Sequence, residues 1–166
     1  MIDDAVAIAD AHIRSWQAAY RDLLPAEFLD GLGEHLEGRV KWWRRVLRRD
    51  PEDVLVAEDN GLVAGFARVA KCRDEDHGLL HRYGEVQAIY LVESAWGKGL
   101  GRDLMAAAEQ RLASRRLGPL CVWVLGKNTR ARRFYEAAGW AVDGVEKEET
   151  MPWATLHEVR YVKDVS

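Results

Sequence analysis

Cysteine and proline are scarce, with two and four among 166 residues. Cys72 and Cys121 are too few for a disulfide framework, so free thiols in a reducing cytoplasm are the expected state. No apolar run approaches the ~20 residues of a membrane span. The N-terminus, Met1-Ile2-Asp3-Asp4, lacks the basic start and apolar stretch of a secretory leader. Neither sign of charge dominates: 24 basic against 27 acidic residues leave a net −3, which argues against a dedicated nucleic-acid binder. The only serines are Ser15, Ser94, Ser114 and Ser166, and none stands in Gly-x-Ser-x-Gly, so serine hydrolysis has no nucleophile. His157-Glu158-Val159-Arg160-Tyr161 is not a zinc-protease helix, because Tyr161 replaces the second histidine. Cys72, His77 and His81 offer three candidate ligands in one polar stretch with no fourth, so no metal site is expected. What is present is 48% apolar and 31% charged residues, the composition of one soluble cytoplasmic globular domain spanning 1–166.

Periodicity supplies the elements. Val6, Ile8, Ala9, Ile13, Trp16 and Tyr20 recur at three- and four-residue spacings, predicting a helix from Asp3 to Tyr20 capped by Asp3 or Asp4. Pro25 opens a short helix that Gly31 and Gly33 close, and a further helix runs from about Glu34 to Arg49, ended by Asp50-Pro51. Asp53–Ala57 and Leu62–Ala70 flank the turn Asp59-Asn60-Gly61 and read as a hairpin. Lys71–His81 is polar loop, Gly84–Val92 a strand, Arg102–Arg116 a helix and Leu120–Leu125 a strand. Asn128–Ala138 is a helix stopped by Gly139, and the tail offers strands over Trp140–Val145 and Leu156–Val162. Interleaved helices and strands make the fold class α/β or α+β, a mixed central sheet flanked by helices.

The chemistry-bearing segment is strand, glycine loop, helix start: Leu91 and Val92, then Trp96-Gly97-Lys98-Gly99-Leu100-Gly101-Arg102. Such a turn gathers free backbone N–H groups and a positive helix end, which suits a phosphate or pyrophosphate. Glycine lets phosphate oxygens reach the backbone, and Lys98 and Arg102 add charge. The spacing fits neither a dinucleotide fingerprint, which would need glycine where Leu104 or Arg102 stands, nor a P-loop.

These residues, with the strand Gly84-Glu85-Val86-Gln87-Ala88-Ile89-Tyr90-Leu91-Val92 before them, resemble the cofactor motif of the GNAT superfamily of N-acetyltransferases, Gln/Arg-x-x-Gly-x-Gly/Ala. A second stretch, Asn128-x-x-Ala131-x-x-Phe134-Tyr135-x-x-x-Gly139-Trp140, is similar to the family's Asn-x-x-Ala-x-x-Leu/Phe-Tyr-x-x-x-Gly-Phe. Order and spacing both match. Two departures stand out: Trp96 occupies the Gln/Arg position, and the chain starts at a helix, so the family's first strand is missing or reduced to Met1-Ile2. The lost strand leaves a sheet edge that makes a homodimer the expected assembly.

The resemblance implies direct acetyl transfer from acetyl-CoA to a primary amine, on a small molecule or a peptide. An alkyl amine of pKa ~10.4 is protonated at pH 7, and freeing it costs about 4–5 kcal/mol. Glu85, eleven residues before Trp96, matches the strand position of a family glutamate that acts as general base. A backbone N–H near Leu91 or Val92 is implied as donor to the thioester oxygen, and Tyr135 as the acid that protonates the leaving thiolate. Asn128 is implied to bond the pantetheine arm, with Arg130 or Arg133 at the adenosine end. A silent acyl-CoA-binding module is the alternative; it would keep the glycine loop and lose both Glu85 and Tyr135.

Three further features are read from the residues and the resemblance together. Arg39, Lys41, Arg44, Arg45, Arg48 and Arg49 form a basic run without an intervening acid, read as a solvated helix face rather than a nucleic-acid surface. Trp16, Tyr20, Trp42 and Trp43 sit in the N-terminal helices that wall the acceptor site in this family, where most such aromatics pack in the core. Asp74, Glu75, Asp76, Glu85, Glu146, Glu148 and Glu149 are acidic where strands meet loops, which favours a cationic acceptor.

Overall fold

The computed structural model describes residues 4–72 and 83–164. Six strands, β1 (Val54–Asp59), β2 (Leu62–Lys71), β3 (Gly84–Leu91), β4 (Leu120–Leu125), β5 (Ala141–Met151) and β6 (Ala154–Lys163), form one mixed sheet in the order β1-β2-β3-β4-β6-β5. The helices are α1 (Ala5–Ala19), α2 (Ala26–Gly31), α3 (Leu36–Arg49), α4 (Leu100–Ser114) and α5 (Thr129–Ala137). The expectation of a first strand missing or reduced to Met1-Ile2 falls on residues 1–3, which lie outside the described residues. His77, His81, Asp74, Glu75 and Asp76 also lie outside the described residues. Packing divides the chain into two compact units, Met1–Arg68 with Ala88–Ala107 and Val69–Gln87 with Ala108–Ser166.

In the first unit α1 buries Ala5, Ile8, Ala9 and Ile13, the face its spacing predicts. Asp4 stands at the N-cap position, but its side chain makes no capping bond. α2 ends at Gly31 as expected, with φ −69°, while Gly33 lies inside a 3₁₀ turn over Leu32–His35 that leads into α3. Trp43, Val46 and Leu47 of α3 pack with Ile8, Val54 and Phe66 in one cluster, each fully buried aliphatic side chain contributing about 1.5–3 kcal/mol. The β1–β2 turn places Asn60 and Gly61 at φ of 53° and 76°, the left-handed pair that a two-residue hairpin demands.

In the second unit Leu112, Leu120, Tyr161 and Trp140 are buried. A Cβ on Gly84 would stand 2.9 Å from a Leu120 methyl, so the strand starts on glycine to let that leucine in. The last two strands are longer than the sequence predicts. β5 runs on to Met151 and meets β6 through Pro152 and Trp153, with an irregular register between Val142 and Glu146 where Gly144 adopts φ 83°. Asp143-Gly144, inside the expected strand, forms a bulge. The charged residues after it suit an exposed edge strand.

Candidate functional site

The glycine loop belongs to the first unit. After Leu91 the chain makes a 3₁₀ turn over Glu93–Ala95, and Gly97 and Gly99 then take φ of 74° and 85°, where any other side chain is strained. The Gly99 carbonyl accepts the Asp103 N–H at 3.1 Å, which starts α4. The first N–H groups of that helix, from Leu100, Gly101 and Arg102, therefore have no acceptor within it. Their concentration at a positive helix end fits a pyrophosphate. The nearby cations are offset: Lys98 pairs with Asp59 at 2.6 Å and Arg102 with Asp103 at 3.2 Å. Backbone, more than side chains, makes this cradle.

Trp96 closes the loop on itself. Its indole N–H donates to the Leu91 carbonyl at 2.9 Å, fastening the loop to the end of β3. Of the two amides expected to face the thioester, that of Val92 is already spent, because it donates to the Ala64 carbonyl at 2.9 Å. Leu91 is the one retained below.

Sequence reading missed Gly65. A Cβ there would collide with the Tyr90 carbonyl oxygen and stand 2.5 Å from a Leu91 methyl, so β2 presses its backbone against the strand end that carries the loop. A lone glycine inside a strand pattern was the available signal. Gly65→Ala is expected to lower stability by about 1–3 kcal/mol through this overpacking and to weaken acetyl-CoA binding; denaturant unfolding and ligand titration check both.

The aromatic residues of the first unit divide in two. Trp43 is fully buried and donates from its indole to His12 Nδ1 at 3.3 Å, while Trp42 lies beside it, partly exposed, with the Arg68 guanidinium 5.4 Å from its ring centroid. Trp16, Tyr20, Phe28 and Tyr90 form a half-buried wall, with the Tyr20 and Tyr90 hydroxyls 3.0 Å apart. Trp43 has no surface left to meet a ligand, whereas Trp42 and the second group do. Buried His12 stacks on Tyr90, and Arg39 Nη1 approaches its two ring nitrogens at 3.3 and 3.4 Å. Burial first and the Arg39 charge second push its pKa down to about 3.

The second unit holds Glu85, Asn128 and Tyr135. The β3–β4 ladder comprises only Gly84↔Leu120 and Glu85↔Cys121, although β4 continues to Leu125 along β6. Glu85 thus sits half-buried at the last rung before the strands part. Cys121 beside it is hydrogen-bonded to Cys72, and that bond with burial drives its thiol pKa far up, so Cys121 is not a reactive thiolate. Asn128 is buried and caps α5, its Oδ1 accepting the Ala131 N–H at 3.1 Å; only its amide NH₂ is left for a ligand. Tyr135 is 6% exposed and packs its ring against Phe134, Trp140 and Tyr161. Its helix is pinned where Arg132 donates to the Tyr161 hydroxyl at 3.0 Å, which donates to Glu136 at 2.7 Å.

Residues 13–140 match the model of the acetyltransferase (GNAT) family. YuaI of Bacillus subtilis (strain 168), named an uncharacterized N-acetyltransferase, is 34% identical over 137 residues, covering 82% of this chain and 74% of that one. Among solved structures, ribosomal-protein-alanine N-acetyltransferase from Brucella melitensis superposes with a TM-score of 0.74 at 23% identity, covering 99% of this chain and 96% of that one. PaiA N-acetyltransferase from Thermoplasma acidophilum, solved with coenzyme A, gives 0.70 at 18% identity, covering 95% and 93%. The chain belongs to the GNAT family and is an acetyl-CoA-dependent N-acetyltransferase. No described helix is long and apolar enough to cross a membrane.

Proposed function

We propose that this chain acetylates a primary amine by direct attack, with Glu85 as general base and Tyr135 as general acid. Glu85 takes the proton of the acceptor ammonium, directly or through one water, and the freed nitrogen attacks the thioester carbonyl carbon. As the C–N bond forms, the Leu91 N–H stabilises the charge on oxygen. The carbonyl re-forms as the C–S bond breaks, the Tyr135 hydroxyl supplies the proton for the departing thiolate, and the second proton shed by the acylated nitrogen returns Tyr135 to its hydroxyl form. The backbone of Gly97 to Arg102 holds the pyrophosphate, and the Asn128 NH₂ donates to a pantetheine carbonyl. Trp16 and Tyr20 contribute to the acceptor wall.

The observation that carries the reading is the pair of left-handed glycines delivering the chain into α4. Acetyl-CoA should therefore bind without an acceptor. At about 100 times its dissociation constant it is expected to stabilise the fold by roughly 2.7 kcal/mol, visible as a rise in Tm. A rise with NAD or ATP and none with CoA or acetyl-CoA would remove the cofactor assignment.

A further inference from the structure

Gln87 is the residue of β3 that nothing so far explains. Its Oε1 is completely buried and has no hydrogen-bond partner among the described residues, whereas buried polar atoms nearly always have one. It lies two residues beyond Glu85, on the same side of the strand by alternation, just past the last rung of the β3–β4 ladder. Val86 between them is 1% exposed on the opposite side.

The surroundings on that side of the second unit decide what the oxygen would meet. Cys121 shares the rung with Glu85; Trp123 follows it on β4, Arg160 is registered with Trp123, and Glu158 with Lys147. Lys147 and Arg160 both stand over the Trp123 ring, at 4.2 and 5.6 Å from its centroid. Each cation is also held by a carboxylate, Lys147 by Glu158 at 3.5 Å and Arg160 by Asp143 at 2.6 Å. Among the described residues that face, with Glu85, carries three carboxylates against two cations, and the bond to Cys72 with burial raises the Cys121 thiol pKa and keeps it neutral. An anion is poorly served here. A cation with N–H groups to give is the complementary ligand.

We propose that Gln87 is a positioning residue for the acceptor: its Oε1 accepts one N–H of the amino group whose proton Glu85 removes. This rests on the reading of Glu85 as base. An ammonium has three N–H bonds, one surrendered to the base and a second available to fix the direction of the lone pair that forms. The amide oxygen suits that task because it accepts a hydrogen bond without competing for the proton.

The test uses the full chain with acetyl-CoA and four probe amines, 1-aminobutane, 1,4-diaminobutane, tyramine and glycinamide, followed by thiol release. Gln87→Leu removes the oxygen at similar size and, by relieving an unsatisfied buried group, should hold or raise Tm. The expected result is a KM for the best amine raised about 10- to 100-fold, with the pH–rate profile and the acetyl-CoA thermal shift unchanged. Gln87→Glu, which retains an oxygen at the same reach, should keep KM within a few-fold of the parent. An unchanged KM in Gln87→Leu overturns the proposal while leaving the Glu85 reading intact. Turnover of none of the four amines, with the acetyl-CoA shift present, overturns both the acceptor reading and the role of Gln87.

Discussion

Tyr135→Phe is expected to lower kcat roughly 10- to 100-fold while leaving acetyl-CoA binding nearly unchanged. The change removes one hydroxyl and keeps the ring, which packs on Phe134, Trp140 and Tyr161, so the fold has little reason to respond. The magnitude follows from the leaving group. A thiolate has a pKa near ~8.5 and departs at pH 7 without strictly needing a proton, so protonation assists by a modest factor at the low end of general-acid effects. Glu85→Gln should behave differently, because the lost group handles the amine proton: its acidic limb in the pH–rate profile should vanish. Steady-state kinetics across pH separate the two. Full activity in Tyr135→Phe would leave Tyr135 as a packing residue and assign the proton to water.

Acid should destabilise this protein well before its carboxylates are neutralised. His12 is held neutral down to about pH 3 by burial and by Arg39, whereas in the unfolded chain it titrates near 6.5. Between those values the unfolded state binds a proton that the native state refuses. Stability is therefore complete above about pH 6.5 and falls by about 1.4 kcal/mol per pH unit below it, a loss of roughly 2 kcal/mol by pH 5. Denaturant melts at pH 7, 6 and 5 measure the slope. His12→Gln, which cannot take the proton, should flatten it; an equal slope in both proteins would place the acid sensitivity elsewhere.

Among the described residues sequence periodicity located the five α-helices and six strands, because each buries one face whose spacing survives in the residue order: Ile8, Ala9 and Ile13 in α1, or Val46 and Leu47 in α3. Boundaries failed where tertiary pairing decides them. The strand expected to end at Val145 runs on to Met151, because pairing with β6 continues past Asp143-Gly144 and absorbs the glycine as a bulge. Gly31 does end α2, but Gly33 lies inside a 3₁₀ turn that carries the chain into α3. The glycine loop was legible since its function requires glycine itself. The fork after Glu85 and the press of Gly65 on Tyr90 were not, because both depend on which strands become neighbours. Likewise, the commitment of the Val92 amide to Ala64 is written in no side chain.

The bond from the Trp96 indole to the Leu91 carbonyl changes the meaning of an apparently unusual residue. Tryptophan, glutamine and arginine differ in charge, shape and polarity, but all three carry an N–H at the end of a long side chain. At this position the common requirement becomes a latch: a donor that reaches back five residues in the chain and ties the loop to the strand it leaves. Charge toward a pyrophosphate is then incidental, and the three residue types are interchangeable in the one property that shapes the backbone. By that logic arginine or glutamine at position 96 preserves the latch, whereas phenylalanine, nearer to tryptophan in size, releases it.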